Sequence, residues 1–187
     1  ARSQFEIVVP FGWRELEASA TPGEGTDWRS GLGDAAIGFK RVLSHGLESG
    51  SIFSVAGEVL VPTGDEEEGF GSGTTVFEPY LAYGRILPSD FFLHLQGGFG
   101  VPLDHEKAED EAFARAALGR TFTSGRFGRA WSPMVEVLAS RELVSGASTH
   151  WDIAPQMQVT LNVRQHVMLN AGARIPLDDS DTRDTRY

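Results

Sequence analysis

Seven carboxylates, Glu6, Asp34, Glu58, Glu78, Glu136, Glu142 and Asp152, fall on the polar side of segments that alternate apolar and polar residues, and so do the bases Arg14, Lys40, Arg115 and Arg174. Charges held on an enclosed face are expensive unless paired or wet, so this set implies ion pairs across the face, water, or both. The expectation is at least one contact joining Arg14, Lys40, Arg115 or Arg174 to Glu6, Glu58, Glu78 or Glu136. Glu58 and Glu78 fall on neighbouring segments and have the makings of an acid pair, although a partner such as Lys40 or Arg115 is the simpler reading. His94, near Gln96, should share the same face as a satisfied interior histidine rather than a ligand or a base.

Other motifs carry less chemistry. Gly31-Leu32-Gly33-Asp34-Ala35-Ala36 fits the form G-x-G-x-x-A, but with no strand read before it and no helix after it the phosphate-binding context is missing. Ser72 stands among Gly69, Gly71 and Gly73, lacks the nucleophile-elbow spacing, and reads as a flexible loop. His45, His94, His105, His150 and His166 show no zinc spacing, and the chain has no cysteine. Acidic clusters at 65–68, at Asp104, Glu106, Glu109, Asp110 and Glu111, and at Asp178, Asp179, Asp181 and Asp184 offer oxygen ligands for hard cations. They lack the calcium-loop spacing and read instead as a solvated, self-repelling rim. No catalytic residue, metal or cofactor is expected. A net charge of −10 argues against nucleic-acid binding.

The elements that must position these residues are strands. Phe5, Ile7, Val9, Phe11 and Trp13 oppose Gln4, Glu6, Gly12 and Arg14; Trp151, Ile153, Pro155, Met157, Val159, Leu161 and Val163 oppose Asp152, Gln156, Gln158, Thr160 and Asn162. The alternation predicts nine strands, at about 3–16, 31–43, 51–62, 74–87, 91–103, 112–123, 130–143, 150–163 and 166–177. Short connections alternate with longer ones near 17–30, 63–73, 104–111 and 144–149, the arrangement of an outer-membrane barrel with an apolar exterior and a polar interior. Phe5, Ile7, Val9, Phe53, Val55, Leu93, Leu95, Val135, Val137, Ile153, Val159 and Leu169 should point away from the barrel axis. No run of about 18 apolar residues exists to make a membrane helix. The expected fold is thus all-β: one antiparallel transmembrane barrel over 1–187, with an odd strand count that calls for at least one further closing strand.

His105–Leu118 disputes this, being rich in helix formers with Ala108, Ala112 and Ala116 at four-residue spacing. Its second half also alternates, and the hairpin order needs a strand there, so strand is preferred.

Gly31-Leu32-Gly33-Asp34 running into Ile37-Gly38-Phe39-Lys40, then Val61-Pro62-Thr63-Gly64 and Glu78-Pro79-Tyr80-Leu81-Ala82-Tyr83-Gly84, resembles the meta-pathway phenol-degradation family of outer-membrane β-barrel transporters. The resemblance spans about Gln4 to Leu177 and implies a barrel in the outer membrane that passes small, often aromatic, compounds. It supplies no catalytic residues. The expected function is a passive channel or small-solute transporter, not an enzyme, with a lumen lined by Glu6, Arg14, Asp34, Lys40, Glu58, Glu78, His94, Arg115, Glu136 and Arg174. Its partners would be the lipid bilayer, a small-molecule solute and a protein at an open edge or rim. The alternatives are a plugged structural barrel that docks a protein, and a soluble lipocalin-like ligand-binding barrel.

Overall fold

The computed structural model describes residues 2–16, 27–66, 68–124, 129–161 and 168–178. In chain order the strands are β1 (Ser3–Val8), β2 (Phe11–Leu16), β3 (Asp27–Leu32), β4 (Ala35–Gly46), β5 (Ser51–Val61), β6 (Val76–Ile86), β7 (Phe91–Pro102), β8 (Glu111–Arg120), β9 (Phe122–Ser124), β10 (Arg129–Glu142), β11 (His150–Thr160), β12 (Met168–Gly172) and β13 (Ile175–Pro176). Eleven of them form one antiparallel sheet along the path β1-β4-β5-β6-β7-β8-β10-β11-β12, with β9 and β13 as side pairings. β2 and β3 form a separate two-stranded sheet. From β4 onward, path neighbours are chain neighbours apart from the short β9, the meander that successive hairpins produce. The sheet is not closed: β1 and β12 are its edges. Among the described residues no helix is long and apolar enough to cross a membrane.

All nine expected strands are present, and the disputed 105–118 stretch resolves into a turn followed by β8. Alternation prevails over propensity because Ala112 to Leu118 pair in register with β7 on one side and β10 on the other. Four expected strands are interrupted, two of them at Thr121 and at Ala173–Arg174. The first breaks at Val9 and Pro10 and its partner at Gly33 and Asp34. Proline has no N–H for the ladder, and the Pro10 carbonyl accepts from Gly33 N at 3.0 Å. Across this break the register slips by one residue, from Val8↔Ala36 to Phe11↔Leu32. A strand therefore does precede Gly31, and Asp34 leads into another strand rather than a helix, so the context still differs from that of a dinucleotide site.

The burial pattern is inverted relative to a soluble protein. The buried apolar side chains are the alanines Ala36, Ala56, Ala117, Ala130 and Ala154, with Pro102; beside them Ser54, Thr74, Ser132, Thr160 and Asp152 are buried too. Phe5, Ile7 and Trp13 are 65%, 63% and 70% exposed. The register puts the first group on one face and most of the exposed aromatic and branched side chains on the other: Ala36 opposes Leu60, Glu58 opposes Glu78, Ala117 opposes Glu136, and Glu136 opposes Ala154, while Phe5 opposes Phe39 and Val137 opposes Ala116 and Ile153. All twelve side chains expected to point outward lie on the apolar face, except that Val9 falls at the break, where it is also exposed. A single layer with no helix on it crowds one face only by curling toward that face, and small residues permit the curl.

Candidate functional site

The polar face carries a row of carboxylates perpendicular to the strands. Glu6 lies across from Gly38, Gly38 from Glu58, and Glu58 from Glu78. Val76↔Pro102 and Tyr80↔Gly98 carry the row from β6 to β7, which brings Glu78 opposite Gly100; a Cβ on Gly100 would sit 4.0 Å from Glu78 Oε1. Gly100 then opposes Glu111, and Glu111 opposes Glu142. Gln4, Glu6, Gly38, Lys40, Glu58 and Tyr80 line a cleft of about 20 Å³ within this row, room for a single water.

The ion pairs expected here do not form among the described residues. Among the described residues none joins Lys40, Arg115 or Arg174 to Glu6, Glu58, Glu78 or Glu136. Arg174 instead pairs with Asp152, its Nε 2.8 Å from Oδ2. Glu136 accepts from Gln156 Nε2 at 2.6 Å, and Arg115 stands over the Phe113 ring at 5.3 Å. Register is the reason: it sets Glu58 against Glu78, acid on acid, while Arg115 sits between Gln96 and Leu138 in a different row. Arg14 is paired through its backbone with Arg29, and its side chain lies outside the described residues. His94 also departs from expectation. It sits across from Gly84 and Ala117, tilted against Phe92 with ring centroids 5.1 Å apart, and its ring nitrogens make no hydrogen bond among the described residues.

Asp34 has a different role from a lumen charge. It occupies the break between β3 and β4, where its Oδ1 accepts from Gly64 N at 3.0 Å and its Oδ2 from Ser72 N and Ser72 Oγ, both at 2.7 Å. Thr63 Oγ1 donates to the Gly33 carbonyl at 3.2 Å and accepts from Ala35 N at 2.8 Å. The motifs Gly31–Asp34 and Val61–Gly64 are thus two halves of one joint, and Ser72 is anchored rather than flexible. Close approach requires the glycines: a Cβ on Gly31 would lie 2.7 Å from Phe70 Cδ2, and one on Gly71 would meet the Gly64 backbone at 2.6 Å. No local pattern in the sequence announces the joint, because its partners stand 28 to 38 residues apart.

Partial burial pushes the Asp34 carboxyl up, but the hydrogen bonds from Ser72 and Gly64 outweigh it and hold the group below its ordinary value of 3.8. A depressed acid stabilises the folded state above the unfolded value and loses that contribution as pH falls through the folded one. Amide-exchange protection at Gly64 and Ser72 should therefore stay constant well above pH 3.8 and weaken below it, ahead of the strands; protection independent of pH down to global unfolding would contradict this.

The acidic rim is braced rather than merely self-repelling. Lys107 Nζ reaches Glu66 Oε2 at 2.8 Å and Arg29 Nη1 reaches Glu68 Oε1 at 2.6 Å, tying loop 62–75 to loop 103–110 and to β3. Such exposed pairs are screened by solvent and add little stability. Asp178 pairs with His150 at 2.7 Å. Among the described residues no cluster of His, Asp and Glu is arranged to hold a metal ion. Glu67, Asp179, Asp181 and Asp184 lie outside the described residues.

No curated protein matches the chain significantly. The family described as "Putative MetA-pathway of phenol degradation" matches residues 3–175, across the joint, the carboxylate row and nearly the whole sheet, and the chain belongs to that family.

Proposed function

We propose that this chain is an outer-membrane β-barrel that passes small solutes along its polar face and carries out no catalytic step. The observation that carries the reading is the inverted burial: alanine, serine and aspartate are buried while phenylalanine, isoleucine and tryptophan stand exposed. In water such a surface is an aggregation hazard; against lipid tails it is the stable arrangement. The same inversion weighs against a lipocalin-like barrel, whose apolar side chains would line the interior. Lipid is then the partner of the apolar face, and the polar face is the solute path. Planar-bilayer recording of the purified chain should give a defined unitary current; a barrel that inserts and never conducts would instead be the plugged, protein-docking alternative.

Charge selectivity follows from the carboxylate row. Rings of Asp and Glu favour cations in pores, so the chain should prefer cations over anions. Glu58→Gln combined with Glu78→Gln should lower the cation-to-anion permeability ratio severalfold, read from the reversal potential in a salt gradient. An unchanged reversal potential would remove the row from the conducting path.

A further inference from the structure

We infer that the β5–β6 loop, residues 62–75, is a flap laid over the long-loop end of the polar face, where it sets the size limit of the solutes that pass. The inference concerns regulation of the path proposed above and rests on it. The β2–β3 hairpin supplies the surface on which the flap lies. Its register puts the exposed Phe11, Trp13 and Leu32 on one side and Gly12 and Gly31 on the other. Phe70 takes the second side. Its ring lies against the bare backbone of Gly31, and its carbonyl is 3.3 Å from where a Gly33 Cβ would stand, with the Pro10 ring 2.9 Å from the same point. Arg29, two residues before Gly31 and so on the same side, holds Glu68. Two independent contacts therefore place the flap away from the exposed aromatic side chains, and Phe70 is half-buried where Phe11 and Trp13 are not. From the opposite flank Lys107, in the β7–β8 connection, reaches Glu66.

The neck of the flap is stiff and its tip is lightly fastened. The Asp65 carbonyl accepts from Phe70 N at 2.7 Å and from Gly71 N at 3.2 Å, and the Glu66 carbonyl accepts from Gly69 N at 3.1 Å, which closes the loop on itself. Gly69 and Gly73 turn the chain at φ 73° and 67°, a region that a Cβ makes costly. Asp34 receives both ends of the closed turn, through Gly64 N and Ser72 N. Compact surface loops whose ends meet in this way move and act as units. Beyond the neck, the fastenings are the Phe70 ring on Gly31 and the two ion pairs, whose partners water reaches. Few buried apolar contacts and water-accessible pairs mark the part of a fold that opens at low cost. The flap thus keeps its own shape while its seat on the hairpin is the contact that gives way.

Swelling of proteoliposomes in arabinose and in raffinose, both uncharged, reads the size limit without the carboxylate row entering the measurement. The wild type is expected to admit arabinose and to admit raffinose far more slowly. Phe70→Ala with Glu66→Gln removes the ring seat and the Lys107 fastening, and should raise the raffinose rate severalfold relative to arabinose. Glu66→Gln with Glu68→Gln, two changes at exposed ion pairs, should act in the same direction and decides the matter if the Phe70 variant does not fold. The chain has no cysteine, so Arg29→Cys and Glu68→Cys added to the Phe70 variant give a unique thiol pair. Bridging that pair with a short bis-thiosulfonate should restore the wild-type sugar ratio, and reduction should abolish it again, whereas a damaged sheet would not be repaired by a tether. A ratio unchanged in the released forms, or unaffected by the tether, overturns the flap and leaves the conduit standing. Raffinose entry in the released forms with no swelling in the wild type supports a flap that shuts the path outright. No swelling in either sugar by any form overturns the conduit and the flap with it.

Discussion

Val137→Arg should destabilise the chain in a bilayer by about 2 to 4 kcal/mol if the position lies near the midplane. Val137 is 36% exposed on β10, between Ala116 of β8 and Ile153 of β11 on the apolar face. In water, an arginine at so open a position would fall within about 0.5 kcal/mol of neutral, because its head would be hydrated and its stem would cover the neighbouring methyl groups. Against hydrocarbon the guanidinium must be dehydrated or drag water with it. One substitution therefore separates a lipid-facing surface from a solvent-facing one. Reversible denaturant unfolding from vesicles gives the number, and a change below about 0.5 kcal/mol would sink the membrane reading.

Asp34→Ala should release loop 62–75. The change strips an ionised acceptor from Gly64 N, Ser72 N and Ser72 Oγ together. Hydrogen bonds to a charged group contribute about 1.5 to 3 kcal/mol each when the donors are left unsatisfied. These donors are only part-buried and water can reach them, so a discounted total of about 2 to 4 kcal/mol is expected, confined to the loop and the start of β4. Exchange at Gly64 and Ser72 should quicken by roughly tenfold for each 1.4 kcal/mol, while amides in the β10–β11 ladder keep their protection. Equal loss in both places would mean that Asp34 supports the whole sheet and not a joint; no loss at all would mean that the loop is held by Phe70 against Gly31 and by the rim ion pairs.

What the sequence made legible was whatever depends on period. Alternation places the nine expected strands and, away from their interruptions and the β4 irregularity at Val42–Ser44, the face of each side chain, because face within an unbroken strand follows from parity. Even at Ala112–Leu118, where propensity points to helix, parity with the flanking strands is the better guide. What escaped was whatever depends on a second, distant segment. The ion pairs failed because pairing requires the register between strands as well as the face within one: Glu58 and Arg115 share a face but not a row. Asp34 and Ser72 share neither strand nor period, so no local pattern pointed to their contact. Pro10 was a legible warning, since proline inside a paired strand marks an edge or a break. His94 lies across from Gly84 and Ala117, neighbours that come from other strands and could not be read from its own segment.

The meander also sets what redesign or gene duplication can do to this sheet. Each strand from β5 to β8 bonds only to its immediate predecessor and successor along the path, so the β6–β7 hairpin is a removable module. Deleting it would leave β5 and β8 running in opposite directions, able to pair, and with Glu58 and Glu111 already in the same row. The width of the sheet thus changes in steps of two strands without reversing any face. That width is inherited as a count of hairpins, while the Asp34 joint, spanning β3, β4 and the β5–β6 loop, marks a stretch where a hairpin cannot be exchanged without carrying its neighbour along.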